Sequence, residues 1–202
     1  MRCAPCSSRS LLHSRTAAEK RAHLMREIVE TLLFVGIVFF IVQFAIRPYR
    51  ASDTMMPQLQ PDQLVLVNRA AYLFGGPGRG DVVVYADPTD TSVQRIGRVI
   101  AIPGDTITVS PTQVIVNNVT LNEPYISVPD GVPPNTNIVS ALKLGPNDYF
   151  VMNDSRLKSP DSRSFGTISR GNIVGKAEIV FWPLHDVQGI STYPNVFSGV
   201  SK

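Results

Sequence analysis

Cysteine is almost absent from this chain. Among 202 residues only Cys3 and Cys6 occur, spaced C-x-x-C at the start. A zinc site needs four ligands, no second pair follows, and His13 and His23 are poorly placed to complete one. A redox reading of the same spacing requires a βαβ context that the flanking residues lack. We therefore expect two thiols in a tail, no metal or cofactor, and no disulfide in the rest of the chain.

Strong charge of either sign is also lacking. Charged residues make up 17% of the sequence, and the formal net charge is +3. No basic stripe with interleaved aromatic side chains occurs, which argues against nucleic acid as a partner. The chain is 44% apolar, which suffices for one membrane segment and one compact domain of about 150 residues.

Only one long hydrophobic run is present, IVETLLFVGIVFFIVQFAI at residues 28–46. As a helix, its 19 residues span about 28 Å, close to the hydrocarbon thickness of a bilayer. Basic side chains concentrate before the run: Arg2, Arg9, Arg15, Lys20, Arg21 and Arg26 precede it, and Arg47 and Arg50 directly follow it. The positive-inside rule then places the N-terminus in the cytoplasm and residues 47–202 outside.

Two other interpretations of the run are open. A cleaved signal peptide is disfavoured, because the basic region before the run is long and no small-x-small cleavage site follows it. A buried core helix is the other alternative, since the run is short for a membrane span. The sequence favours a cytoplasmic tail at 1–27, a transmembrane anchor at 28–46 and an extracytoplasmic domain at 47–202. Such a chain is a single-pass plasma-membrane protein.

The part of the chain after the anchor has the pattern of a mainly β domain. Short β-branched runs bounded by turn residues predict strands at 62–68, 81–85, 96–102, 106–109, 114–116, 119–121, 149–152 and 173–182. No segment of useful length after residue 50 has a helical period. Several prolines and asparagines at 127–147 predict a long irregular connection there.

Five stretches of this region carry a family resemblance in a fixed order. They are SDTMMPQL at 52–59, PDQLVLVNRAAY at 61–72, RGDVVVYADP at 79–88, RIGRVIAIPGD at 95–105 and VMNDSRLKSPDSRSFG at 151–166. The sequence resembles type I signal peptidases, the membrane-anchored Ser/Lys proteases that remove signal peptides from exported proteins. The likeness spans roughly residues 28–183, and it implies a signal-peptidase-like all-β domain behind a single transmembrane helix.

The resemblance also implies roles for single residues. Ser52 matches the serine whose hydroxyl the family uses in the oxyanion hole, and Ser159 matches the serine that orients the catalytic lysine. Further matches are the groove residues Met55, Pro57 and Leu59 and the supporting ion pair of Asp161 and Arg163. Without the resemblance, that ion pair has an ordinary surface pair as its alternative reading.

Two departures fall on the catalytic positions. The nucleophile position holds Thr54, and the general-base position holds Gly97. Threonine keeps a hydroxyl, although its β-methyl group restricts χ1 and crowds the attack path. Glycine supplies no base, and general-base catalysis contributes about 10²–10⁴-fold to a rate. The proteolytic machinery is therefore expected to be lost.

Other basic side chains are candidates to replace the lysine that position 97 lacks. Arg95 and Arg98 are excluded, because a guanidinium does not deprotonate in proteins. Nothing in the sequence places His185 near the site. Lys158 is the best candidate, although neighbouring side chains in an extended segment point to opposite faces; Lys143 is a weaker one.

The sequence thus leaves two functions open. In the first, the protein binds extended segments of secreted or surface-protein precursors as a non-catalytic, chaperone-like relative of signal peptidase. In the second, it is an active peptidase that removes signal peptides from exported preproteins, with Thr54 as nucleophile and an unidentified base. Both functions have the lipid bilayer and exported preproteins as partners.

Overall fold

The computed structural model describes residues 17–51, 59–126, 137–156 and 160–201. The chain divides into two compact units, Met1–Gln43 and Phe44–Lys202. The first unit contains most of helix α1, Ala17–Ala45. The segment Lys20–Ala45 is long and apolar enough to cross a membrane by length and composition, and its large apolar side chains are exposed.

Helix α1 begins earlier than the apolar run. Its first turns contain alanine, glutamate, lysine and arginine, which are good helix formers, so the helix extends back from residue 28 to Ala17. Within these turns, Arg26 pairs with Glu30 at 2.7 Å, the i,i+4 spacing that supports an exposed helix.

The second unit consists of two antiparallel sheets. Its strands are β1 (Ile46–Arg50), β2 (Leu64–Asn68), β3 (Val82–Ala86), β4 (Gln94–Ala101), β5 (Thr106–Val109), β6 (Val114–Val116), β7 (Val119–Thr120), β8 (Val139–Lys143), β9 (Asp148–Met152), β10 (Ile168–Ser169), β11 (Ile173–Trp182) and β12 (Gln188–Gly189). One short helix, α2 (Ser162–Phe165), follows β9. The larger sheet has the order β1-β2-β11-β3-β4-β9-β10 with β12 beside β11, and the smaller has the order β7-β6-β5-β8.

The larger sheet is buried on both faces. One face carries the Ile96 cluster: Leu59, Val65, Val67, Val82, Val84, Ile96, Ala177 and Val180. The other face carries the Tyr85 cluster: Tyr72, Val83, Tyr85, Val99, Tyr149, Val151, Ile168 and Ile173. Strand β3 supplies residues to both clusters, which explains why its sequence is continuously apolar rather than alternating. The smaller sheet packs on a third cluster that includes Ile107, Phe150 and Phe197.

The sequence did not predict four of the strands: β1, β8, β10 and β12. Val139–Lys143 forms β8, so the expected irregular connection at 127–147 is wrong for these residues, whereas residues 127–136 lie outside the described part. Strand β8 lacks a β-branched run and contains Ala141 at φ 38°, so its pairing with β5 decides its conformation. Strand β1 contains Pro48 and two arginines, a composition that does not favour a strand.

Candidate functional site

The structure describes only part of the predicted site. Lying outside the described residues are Ser52, Thr54, Met55, Pro57, Ser159 and the candidate base Lys158. Described are Leu59, Gly97, Asp161 and Arg163. Leu59 is buried in the Ile96 cluster, so its side chain packs in the core of the larger sheet.

Gly97 lies in the middle of β4, on the face of the sheet that carries the Tyr85 cluster. It pairs with Val83 of β3, and directly paired residues point to the same face. A Cβ atom added at Gly97 would lie 2.7 Å from Cγ1 of Val151 and 3.5 Å from Cε1 of Tyr85. The first distance is too short for two carbon atoms, so Val151 occupies the space that a side chain at position 97 would need. No free space is therefore left beside Gly97 for a side chain at the predicted base position.

The Asp161 carboxylate organises the segment beside Gly97. Arg163 donates to it through Nη2 at 2.7 Å and Nε at 2.9 Å, and the Asn153 N–H donates at 3.1 Å. Asp161 also caps α2, because it accepts the Arg163 backbone N–H at 3.0 Å. The Arg163 guanidinium in turn donates to the Arg156 carbonyl at 2.9 Å. Both side chains of the pair are at most 4% exposed, so the alternative of a surface ion pair does not apply.

Tyr85 contributes a buried hydroxyl near the same position. This hydroxyl has no hydrogen-bond partner within the described part of the chain. Burial, followed by the negative charge of Asp161, raises the pKa of Tyr85. The phenol is therefore neutral at physiological pH.

Lys176 is a lysine that sequence reasoning missed and that shares a face with Gly97. It pairs with Val83, which pairs with Gly97, so all three point to the same side of the sheet. The Val83 side chain stands between them, and the Lys176 ammonium is bound to Asp81 at 2.7 Å. This register across β11, β3 and β4 is the signal that places Lys176, and it is not visible in the linear sequence.

The other candidate bases are not suitably placed either. His185 is 78% exposed beside Asp186, and Lys143 is exposed on β8 of the smaller sheet. Arg95 and Arg98 are bound to Asp87 and Asp154. Of the described lysines and histidines in residues 44–201, none therefore has the position of a general base at Gly97.

Strand β1 offers an open edge. It is the first strand of the larger sheet and pairs only with β2 among the described strands. The Ala51 N–H donates to the Gln63 carbonyl at 2.9 Å, so the odd-numbered residues of β1 exchange hydrogen bonds with β2. Because the pattern alternates, Pro48 and Arg50 direct their backbone groups away from β2.

The first half of β4 offers a second open edge. Among the described strands, β9 pairs with β4 only from Arg98 onward. The Asp87 N–H donates to the Val93 carbonyl at 2.9 Å, which sets the alternation of the β3–β4 ladder. Gln94 and Ile96 therefore present their N–H and C=O groups to the side away from β3.

A side chain links the two open edges. The Tyr49 hydroxyl of β1 donates to the Gln94 carbonyl of β4 at 3.1 Å. The two edges thus lie across a narrow space from each other, here called the groove and defined by Ile46–Arg50 and Gln94–Gly97. Side chains on its inner face pack on the Ile96 cluster.

A family model described as "Signal peptidase, peptidase S26" matches residues 24–182. This match covers well over half of the chain and includes both edges of the groove. The chain belongs to this family. The family resemblance inferred from the five ordered sequence stretches is confirmed. The expected mainly β fold preceded by an apolar helix is confirmed as well.

Curated relatives support the same placement. The chain is 30% identical over 175 residues to "Signal peptidase I" of Leptolyngbya laminosa, covering 83% of this chain and 82% of that protein. It is 31% identical over 165 residues to "Signal peptidase I S" of Bacillus subtilis (strain 168), covering 78% and 88%. A crystal structure of a signal peptidase I from Enterococcus faecalis V583 is 25% identical, with a TM-score of 0.43 over 50% of this chain and 95% of that one.

Proposed function

We propose that this signal peptidase relative binds extended segments of exported preproteins without cleaving them. The observation that carries the proposal is the packing at Gly97, where Val151 fills the space that a catalytic lysine needs. A recent loss of the base by substitution alone would leave room for the lost side chain. Here the core is closed, which suits a protein adapted to work without that base.

The groove supports binding by strand addition. Four successive antiparallel pairings connect β1, β2, β11, β3 and β4, so β1 and β4 run in the same direction. An extended segment between them can therefore pair with both edges in one orientation. Backbone groups at Pro48, Arg50, Gln94 and Ile96 supply sequence-independent hydrogen bonds, and alternate side chains select the ligand.

The apolar floor of the groove suits small or apolar side chains. Ile96 and Val84 are buried on the face toward which inward-pointing residues of a bound strand would project. Relatives of the chain are named signal peptidases, which supports exported preproteins as the ligand class. With α1 as the membrane anchor and residues 47–202 outside the cytoplasm, the groove would meet such preproteins during export.

Cleavage of a preprotein with an Ala-x-Ala site by the full chain in detergent tests the proposal. Three proteins are compared: the chain as it stands, a Thr54→Ser/Gly97→Lys variant, and the same variant with Val151→Ala to make room for the lysine. We expect no cleavage by the first and the highest cleavage by the triple variant. In parallel, fluorescence anisotropy of a labelled peptide spanning the site should show binding to the chain as it stands.

Cleavage by the unmodified chain, abolished by Thr54→Ala, would overturn the proposal and establish an active peptidase with Thr54 as nucleophile. The base would then be sought first at Lys158. Absence of both cleavage and peptide binding would show that the groove does not hold this ligand class.

A further inference from the structure

A basic cleft lies at the end of the groove where β1 begins. Its volume is about 350 Å³, and the residues that line it include Arg47, Arg69, Val67, Val84, Val174 and Gln94. The lining combines three valines, of which Val67 and Val84 are buried, with the exposed Arg47 and the half-buried Arg69. None of the described residues lining it is acidic.

The two arginines differ from most others in residues 44–201. There, the guanidinium groups of six arginines are within ion-pairing distance of a carboxylate: Arg50, Arg79, Arg95, Arg98, Arg156 and Arg163. Within the described chain, Arg47 and Arg69 have no carboxylate partner. Arg69 instead lies over the Phe44 ring, 5.3 Å from its centre, an arrangement that leaves N–H donors available. The cleft therefore concentrates two positive charges that no carboxylate of the described residues neutralises.

Gln94 connects the cleft to the groove. It lines the cleft, and its backbone forms the outermost position of the open β4 edge. A segment that pairs with this edge therefore reaches the cleft with whichever side chain points inward at that end. The methylene groups of an aspartate or glutamate would contact the valines, and its carboxylate would meet the guanidinium groups.

We propose that the cleft selects segments carrying an acidic side chain at the Ile46 end of the groove, with Arg47 and Arg69 binding the carboxylate. This inference rests on the proposed peptide-binding function and specifies its ligand. Because charge-assisted hydrogen bonds are stronger than neutral ones, an aspartate at this position should bind about tenfold more tightly than an asparagine. The preference should shrink at high salt, since both arginines are near solvent.

Peptide binding by the full chain in detergent tests the inference. Labelled peptides with alternating small residues carry one Asp or one Asn, placed at either end so that both orientations are sampled. We expect one Asp peptide to bind about tenfold better than its Asn counterpart. Arg47→Gln/Arg69→Gln should abolish this preference, so that this variant binds the Asp and Asn peptides with equal affinity. Arg21→Gln/Lys143→Gln removes the same charge at exposed positions that do not line the cleft and should keep the preference.

The possible outcomes separate the two proposals. Equal affinity for Asp and Asn peptides would overturn the acidic preference and leave the peptide-binding function standing. Binding of neither peptide would overturn both. A third outcome is binding of a short-chain phosphatidylglycerol that requires Arg47 and Arg69, with peptide affinity unchanged in their double variant. That result would assign the cleft to a lipid headgroup and overturn the preference for acidic segments.

Discussion

A side chain at position 97 would compete for space with the side chain of Val151. In the Tyr85 cluster, Val151 packs where a side chain at Gly97 would begin. Overpacking a core costs about 1–3 kcal/mol, so Gly97→Ala should destabilise the protein by that amount. Val151→Ala in the same chain should remove the clash. We therefore expect the double variant to be more stable than the sum of the single effects predicts, as measured by urea unfolding. Additive effects would show that the two positions do not compete for space.

Tyr49 is a second residue with a specific consequence. Its hydroxyl donates a hydrogen bond to the Gln94 carbonyl. The backbone N–H of a bound strand would need the same carbonyl as its acceptor. Tyr49→Phe keeps the ring and frees the carbonyl, so peptide affinity should rise about two- to tenfold, the range of one hydrogen bond. Anisotropy titration measures the change. Tyr125→Phe is the matched control, because that hydroxyl bonds to Glu123 instead. Weaker binding by Tyr49→Phe would mean that the hydroxyl contacts the ligand rather than competing with it.

At the scale of elements, Arg98 joins β4 to β9 and to the segment after β12. It is fully buried and donates to both Asp154 oxygens, at 2.9 and 2.7 Å, and to the carbonyls of Gly80 and Ser191 at 2.9 and 2.8 Å. Its guanidinium also stacks on Tyr125. Removing one partner of a buried pair leaves an uncompensated charge, so Arg98→Ala should cost about 3–5 kcal/mol of unfolding free energy.

The exposed Arg26–Glu30 pair and an Arg98→Ala/Asp154→Ala double variant provide the comparisons for Arg98→Ala. The exposed Arg26–Glu30 pair should contribute less than about 1 kcal/mol, so Arg26→Ala should have little effect. Adding Asp154→Ala to Arg98→Ala should recover part of the loss. A loss below about 1 kcal/mol for Arg98→Ala alone would contradict the role assigned to the pair.

Asp87, in the turn between β3 and β4, should make the stability of the fold depend on pH. Burial raises the pKa of Asp87, but hydrogen bonds from Thr89 and Arg95 outweigh it and lower the value to about 2. The pKa is thus below its usual value near 3.8, and the charged carboxylate stabilises the fold above that pH. The stabilisation, on the order of 2 kcal/mol, should be lost as the pH falls from about 4 to 2. Asp87→Asn should reduce the change of the unfolding free energy with pH over this interval. The same pH dependence in this variant as in the unmodified protein would contradict the prediction.

At the scale of the whole molecule, the chain's own cysteines test its topology. Because Cys3 and Cys6 are the only cysteines and precede the proposed anchor, a membrane-impermeant maleimide should not label them in intact spheroplasts. Labelling should occur after lysis. In a Cys3→Ser/Cys6→Ser variant, a cysteine is introduced by Thr112→Cys, at an exposed position between β5 and β6. This cysteine should be labelled in intact spheroplasts, without lysis. Labelling of the native cysteines in intact spheroplasts would reverse the proposed orientation.

Several elements of the fold were predictable because their signals are local. The β-branched run before Ala86 predicted β3, and turn residues around Gly104 predicted the boundary between β4 and β5. Strands β1 and β8 were not predictable, because pairing partners distant in sequence decide their conformation. The Asp161–Arg163 pair could be named from its sequence box, whereas its burial and its contact with the Asn153 N–H could not.

The sequence by itself determined the family of the protein, the position of its apolar helix and the absence of a lysine at position 97. These properties reside in residue identity and local order, which the chain carries before it folds. Only the tertiary structure decided that Val151 closes that position, that the edges of β1 and β4 lie across a groove, and that Arg47 and Arg69 meet in one cleft. Each of these depends on the register between strands far apart in sequence, and register is set by the packing of the whole sheet.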